Sequence, residues 1–392
     1  MSTHPETVAI RAQTSRTAEK EHSTPLFLTS SFIYHSAEEM AAAFEDDSLD
    51  VNIYSRFSNP TVDEFIAKIA ALEGTEDGVA TGTGMAAIYS TFMTFLSQGD
   101  HIISASAVFG STHTILTKYL PKWGITHDYF NLNNPEQIES LVKPNTKMLY
   151  LETPSNPGLD IIDIRYVADI CKKHNILFVV DNCFATPVLQ QPISFGADLV
   201  LHSATKFIDG QGRVLGGVVV GKAELIKPLY LFIRNTGPSL SPFNAWVLSK
   251  SLETLSVRME RHSSNALALA KALEKNTGVN WVKYPFLQSH PQYEIAKKQM
   301  RAGGGVLTFE LKGGIDNGRK FLNNLKLLSM TNNLGDSRSI ASHPASTTHS
   351  KLNVAEQKEV GITAGLVRVS VGLEFVDDIL ADLEQAIKAS QL

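Results

Sequence analysis

Lys206 stands out in LHSATKFIDG, residues 201–210, because it follows an apolar run and has Ser203 and Thr205 beside it. An amine just past a strand end, flanked by hydroxyls, suits condensation with an aldehyde that also carries a phosphate. Such an amine must be partly neutral to react, and burial with cationic neighbours lowers its pKa enough for that. Twenty-five residues upstream, ILFVVDNCFATP ends an apolar run in Asp181. Open α/β sheets bind ligands beyond the carboxyl ends of their strands, so a carboxylate there can hold a protonated pyridine nitrogen. That pairing turns a pyridine ring into an electron sink. A third element is VATGTGMAAI, residues 79–88, in which Gly82, Gly84 and Ala87 fit G-x-G-x-x-A. The dinucleotide reading of that pattern requires an acid about 20 residues on, at the end of the next strand, for a ribose hydroxyl. HIISASAVFG has Ser106 there and no acid. What survives is a phosphate site on the N–H groups of Gly84 and Met85 at a helix start. Phe109, shortly past that strand, can cover an aromatic ring by stacking, although a core phenylalanine would look the same in sequence.

These residues need a scaffold, and the 392-residue chain, 43% hydrophobic and 19% charged, can bury a large core in more than one domain. Short apolar segments alternate with helical ones: GVAT, a helix from Met85 to Leu96, HIISAS, a helix near 112–121, TKMLYLE, a helix near 164–174, ILFVVD, ADLVLHS and GGVVVG. That alternation predicts a mostly parallel sheet covered on both faces. Before it, residues 1–60 show little periodicity and read as an extended arm, with Asn59-Pro60 breaking the backbone and Thr61 placed to cap the next helix. After it, one long helix over 242–276 leads to GGGVLTFEL, LKLLSM and LVRVSVG, where strict alternation ends. The expected division is an arm over 1–60, a large domain over 61–250 and a smaller α+β domain over 251–392.

Net charge is −5 from 35 basic and 40 acidic residues, without a basic run, so neither a nucleic acid nor a membrane surface is an expected partner. The polar start MSTHPETVAI offers no apolar signal core, and the cytoplasm is the expected compartment. Cys171 and Cys183, with no CxxC or HExxH, suggest buried apolar residues; no metal is expected.

The segments YSR (54–56), NPT (59–61), GTGMAA (82–87), ETPSNP (152–157), DNCFATP (181–187), HSATK (202–206), LSPFNAW (240–246) and SHPASTTHS (342–350) stand in one order and spacing. Together they resemble the cystathionine γ-synthase-like family of pyridoxal phosphate enzymes of cysteine and methionine metabolism, from about residue 8 to the C-terminus. The resemblance implies fold type I, the aspartate aminotransferase-like fold, with pyridoxal 5'-phosphate as cofactor. It implies that Lys206 binds the cofactor covalently and carries protons, with Asp181 on the pyridinium and Gly84, Met85, Ser203 and Thr205 on the phosphate. Tyr54 and Arg56 would reach the phosphate from a neighbouring subunit, Tyr54 also serving in catalysis, and Asn156 would lie near the ring hydroxyl. Arg368 and the Ser339 segment would hold the substrate α-carboxylate, and a homotetramer built of two active dimers is expected. Within the family the wording is nearest the sulfhydrylases: many relatives place a tyrosine where Phe109 stands, and methionine γ-lyases a cysteine where Ser111 stands. Phe109 stacks but passes no proton. The expected reaction is γ-replacement on O-succinylhomoserine by sulfide, with O-acetylhomoserine sulfhydrylase, cystathionine γ-synthase and γ-lyase as neighbouring activities and a cofactor-binding regulator as the non-enzyme alternative. Arg338, one residue before Ser339, is the expected partner of a succinyl carboxylate.

Overall fold

The computed structural model describes residues 4–45, 51–347 and 361–392. A seven-stranded sheet has the order β1-β7-β6-β5-β4-β2-β3, with β1 Asp77–Thr81, β2 His101–Ala105, β3 Thr126–Phe130, β4 Thr146–Glu152, β5 Leu177–Asp181, β6 Leu199–His202 and β7 Gly217–Gly221. Only β7 runs against its neighbours β1 and β6; the other pairings are parallel. Every residue of β2, β6 and β7 is buried, as a sheet covered on both faces requires. The common direction brings the carboxyl ends of β1, β2, β4, β5 and β6 to one edge, and Gly82, Phe109, Glu152, Asp181 and Lys206 lie at or just past those ends.

A second sheet, β10-β11-β12-β9-β8, contains β8 Val279–Lys283, β9 Val306–Leu311, β10 Ser329–Met330, β11 Ile340–Ser342 and β12 Leu366–Ser370. It is antiparallel except for β10 beside β11. The apolar core changes hands within the helix Leu255–Leu273: Leu255 and Met259 pack with the first sheet, Ala266, Leu269 and Leu273 with the second.

Several local expectations change. The helix over 242–276 is two, Pro242–Leu252 and Leu255–Leu273; between them the Ser251 carbonyl accepts from the Arg258 guanidinium and from Thr254 N–H. LKLLSM contributes only two strand residues, because Asp382 accepts the N–H groups of Lys326, Leu327 and Leu328 and takes that backbone out of a ladder. The segment near 112–121 is a short α-helix that widens and then tightens, Gly110–Thr114, Ile115–Tyr119 and Leu120–Trp123. The cap of the helix Pro60–Glu73 is Asn59, whose side chain accepts from Thr61 N–H, while the Thr61 hydroxyl accepts from Phe27. The N-terminal arm contains two helices, Pro5–Arg11 and Ala37–Glu45, and exposes Leu28 and Ile33. Of SHPASTTHS, residues 348–350 lie outside the described residues.

Candidate active site

The phosphate end is built from backbone. The helix Gly84–Phe95 begins after Thr83, whose hydroxyl accepts from Ala86 N–H and whose carbonyl accepts from Ala87 N–H. Among the described residues, the N–H groups of Gly84 and Met85 have no acceptor, so both point into the helix N-terminus as donors. Only glycine fits at Gly84: a Cβ there would stand 2.6 Å from Ser203 Cβ and 2.8 Å from Ser203 Oγ. The Ser203 hydroxyl is thereby set against the helix start. On the other side a Cβ at Gly217 would stand 2.2 Å from the Thr83 carbonyl oxygen, so the cradle is tight all round. Thr205 is less free than its sequence position suggested, since its hydroxyl donates to the Gly216 carbonyl and accepts from Gly216 N–H.

Lys206 lies in a turn whose following carbonyls, on Phe207 and Ile208, are held by the Arg258 guanidinium, with Phe207 fully buried as its anchor. Burial lowers the Lys206 pKa, the Arg368 charge adds to the effect, and Cys183 opposes it. Burial and the Arg368 charge both favour the neutral, nucleophilic form of the amine. Asp181 ends β5, half-buried, with its Oδ1 accepting from Cys183 N–H at 2.9 Å and its Oδ2 from the Tyr150 hydroxyl at 3.3 Å. Burial raises its pKa, with Cys183 N–H, His202 and Tyr150 opposing; a cationic ring nitrogen is the partner that such a carboxylate lacks. The backbone cradle, the amine and the half-buried carboxylate suit a pyridine ring bearing an aldehyde and a phosphate. Phe109, half exposed, stands at the head of the helix Gly110–Thr114 with its N–H on Glu152.

The opposite end of the site takes its guanidinium from the second sheet. Arg368 on β12 is 8% exposed, donates to Asn156 Oδ1 at 2.9 Å, and touches the carbonyls of Asn332 and Asn333 at 3.4 and 3.2 Å. Burial draws its guanidinium down to about 10, still charged at neutral pH. Asn333 is the residue that sequence reasoning missed: its Oδ1 accepts from Lys206 Nζ at 2.5 Å. A polar pair immediately before Leu334-Gly335, in the same loop as the expected Ser339, was the available signal.

Two expected substrate contacts are not brought to this point. Ser339 is fully buried and engaged: its N–H and hydroxyl donate to Glu374, its hydroxyl accepts from Gly372 N–H, and its carbonyl accepts from Ser329 N–H. It braces the loop. The Arg338 guanidinium closes on Asp336, Nε to Oδ1 at 2.9 Å and Nη2 to Oδ2 at 3.0 Å, with Nη2 also on the Gln211 carbonyl. A guanidinium already matched to a carboxylate in that fork leaves only its Nη1 for another acceptor. Tyr54 and Arg56 make no contact with Lys206, Gly84 or Ser203 within the chain; Arg56 packs against the Tyr54 and Phe57 rings and donates to the Arg234 carbonyl. Cys171 and Cys183 are unbonded thiols. Among the described residues no His, Cys, Asp and Glu cluster is fit to hold a metal, and no helix is long and apolar enough to cross a membrane.

Comparison with known proteins agrees with this geometry. The family model described as Cys/Met metabolism PLP-dependent enzyme matches residues 6–388. The chain is 47% identical to an O-succinylhomoserine sulfhydrylase of Pseudomonas aeruginosa, over 98% of this chain and 95% of that one. It is 43% identical to an L-methionine gamma-lyase of Fusobacterium nucleatum, over 97% of each. A solved Campylobacter jejuni structure described as an O-acetylhomoserine (thiol)-lyase, 33% identical, superposes with a TM-score of 0.94 over 98% of this chain and all of that one, and carries a pyridoxyl-lysine monophosphate. With this cradle, amine and carboxylate on a fold of type I, the chain belongs to the PLP-dependent enzymes of cysteine and methionine metabolism, and its cofactor is pyridoxal 5'-phosphate.

Proposed function

We propose that the enzyme replaces the succinyl group of O-succinylhomoserine with sulfide, giving homocysteine and succinate. The observation that carries this reading is the near full-length similarity to the Pseudomonas aeruginosa sulfhydrylase; the hydroxyl-free ring of Phe109 supports it. The bound cofactor supplies an electron sink that makes the substrate's Cα and Cβ protons acidic. Lys206 would hold the cofactor covalently and would serve as the main acid and base at those carbons. Asn333 holds its amine. Arg368, oriented by Asn156, takes the α-carboxylate, and Asp181 keeps the ring nitrogen protonated. Ser203, Thr205, Gly84 and Met85 hold the phosphate.

We place Tyr54 and Arg56 in the phosphate site of a neighbouring subunit within a homotetramer, an arrangement that gives the exposed arm a surface to cover. Mixing Arg56→Ala with Lys206→Ala under conditions that exchange subunits is expected to restore activity, because a hybrid dimer has one intact site. A fully exchanged yet inactive mixture would place Arg56 in its own subunit's site or outside it.

A γ-lyase is the second reading, favoured by the 43% identity to the Fusobacterium nucleatum enzyme. Steady-state assays separate the two: O-succinyl- and O-acetylhomoserine with sulfide or cysteine, against methionine alone. A higher kcat/KM for the succinyl ester with sulfide supports the proposal; an acetyl preference, or methionine as the better substrate, overturns it.

A further inference from the structure

Glu152 ends β4 directly beside Asp181 at the end of β5, the two Cα atoms being partners in the parallel register. Both side chains therefore lie on the same face of the sheet, about one strand spacing of 4.8 Å apart. Glu152 is buried at 7% exposure. Its Oε1 accepts from Phe109 N–H at 2.7 Å, and the Tyr150 hydroxyl stands between the two carboxyls, 3.5 Å from Glu152 Oε1 and 3.3 Å from Asp181 Oδ2. Other ionisable groups face the pair from every side. His202 on β6 is engaged by Glu73, Cys183 follows β5, and Lys206 follows β6.

We propose that Glu152 is a positioning residue of the cofactor site: an uncharged carboxylic acid that anchors the Phe109 backbone and leaves the negative charge beneath the ring to Asp181 alone. Of two neighbouring carboxyls, one buried and one half-buried, the buried one gives up its charge first. Asp181 has the better claim to the charge, because it accepts Cys183 N–H and lies close enough to His202 to feel its field. Glu152 has one N–H, from the loop that carries the stacking ring. Burial, and then the Asp181 charge, push the Glu152 carboxyl well above the usual range. The pair divides the labour: Asp181 meets the ring nitrogen, while Glu152 fixes the height of the ring that covers it. This inference rests on the cofactor and holds whichever acyl ester is used.

The test compares Glu152→Gln, a neutral isostere, with Glu152→Met, which fills the same space without an acceptor. For each, apoenzyme is reconstituted with pyridoxal 5'-phosphate, and cofactor affinity, visible circular dichroism and the pH midpoint of the bound cofactor's absorbance are measured beside kcat and KM. Glu152→Gln is expected to stay within about twofold of wild type in affinity and about 0.3 pH unit in midpoint. Glu152→Met is expected to bind cofactor about tenfold more weakly, the scale of one lost hydrogen bond, with reduced visible circular dichroism. Infrared spectra of the apoenzyme should contain a protonated-carboxyl band that Glu152→Gln removes. A midpoint shift in Glu152→Gln of about one unit or more would show that Glu152 is ionised and overturn the proposal. Wild-type affinity and dichroism in Glu152→Met would overturn the anchoring role. If the methionine variant fails to fold, the midpoint and the infrared band of the glutamine variant decide alone.

Discussion

The two ends of the active site are built in different ways. The ring and phosphate end rises from the carboxyl edge of one parallel sheet, and each part follows a strand within a few residues: Gly84 after β1, Asp181 on β5, Ser203 and Lys206 after β6. The end proposed for the α-carboxylate is assembled from separate pieces: Arg368 on an antiparallel strand of the second sheet, Asn156 from the loop after β4, and Asn333 from a loop between β10 and β11. One end is a property of a sheet edge; the other exists only once two cores meet. Substitutions at the first end should change the cofactor, and at the second should change substrate affinity while leaving the cofactor alone.

Lys206→Ala is the strongest test of that division. Turnover and the visible absorbance of the attached cofactor should both vanish, and absorbance that persists would remove Lys206 from its role. Asp181→Ala should still bind cofactor, with an altered spectrum and a rate at least about a hundredfold lower, the scale of losing a preorganised charge; near-normal activity would mean that another group holds the nitrogen. Arg368→Ala should leave the absorbance unchanged and lower kcat/KM by about 30-fold or more, the 2–5 kcal/mol of a buried charged contact. A spectral change in that variant would break the comparison between the ends.

A smaller effect concerns pH. His262, fully buried beside the lysine turn with its ring against Phe207 and its Nδ1 on the Val371 carbonyl, is drawn by burial to about 4. His290, on the Leu159 carbonyl, is drawn to about 4 by burial as well. A histidine with a depressed folded pKa takes up its proton on unfolding, so each contributes stability above its unfolded value of 6.5 that is lost as pH falls towards 4. The contribution is on the order of 3 kcal/mol each. The raised carboxyls Glu152 and Asp181 contribute with the opposite sign, so the clean measurement is a difference: wild type minus His262→Gln, in denaturant midpoint, between pH 7.5 and 4.5. A difference that does not change with pH would refute the assignment. Smallest of all is Arg338→Ala, expected to leave the ratio of kcat/KM for succinyl and acetyl esters within about twofold, because its fork is held by Asp336. A collapse of succinyl preference would return Arg338 to the substrate.

The same contrast governs what could be read from the chain. The placement of Lys206, Asp181 and the glycine cradle at strand ends was legible because each pairs an apolar strand with the residue that ends it, a local pattern. Arg368 was legible as a guanidinium among apolar strand neighbours. Ser339 and Arg338 misled because residue type does not reveal which partner a side chain has already taken: Glu374 and Asp336 are 35 and two positions away. Asn333 was hidden for the converse reason, an asparagine in a turn-rich loop being ordinary until the lysine, 127 residues earlier, is placed against it. The strand lost from LKLLSM has the same origin, a distant acceptor, Asp382, capturing backbone N–H groups that local propensity would have paired, whereas the break after Leu252 is local, with the Ser251 carbonyl held by Arg258 seven positions on.

Gly335, at φ +80°, lies against the peptide after Lys206; a Cβ there would meet Phe207 N at 2.5 Å and the Lys206 carbonyl carbon at 2.8 Å. Two residues before it, Asn333 touches the Lys206 amine with its side chain and the Arg368 guanidinium with its carbonyl. The loop is thus a gauge block clamped between two jaws, and one stretch of chain sets the placement of the amine and of the guanidinium together.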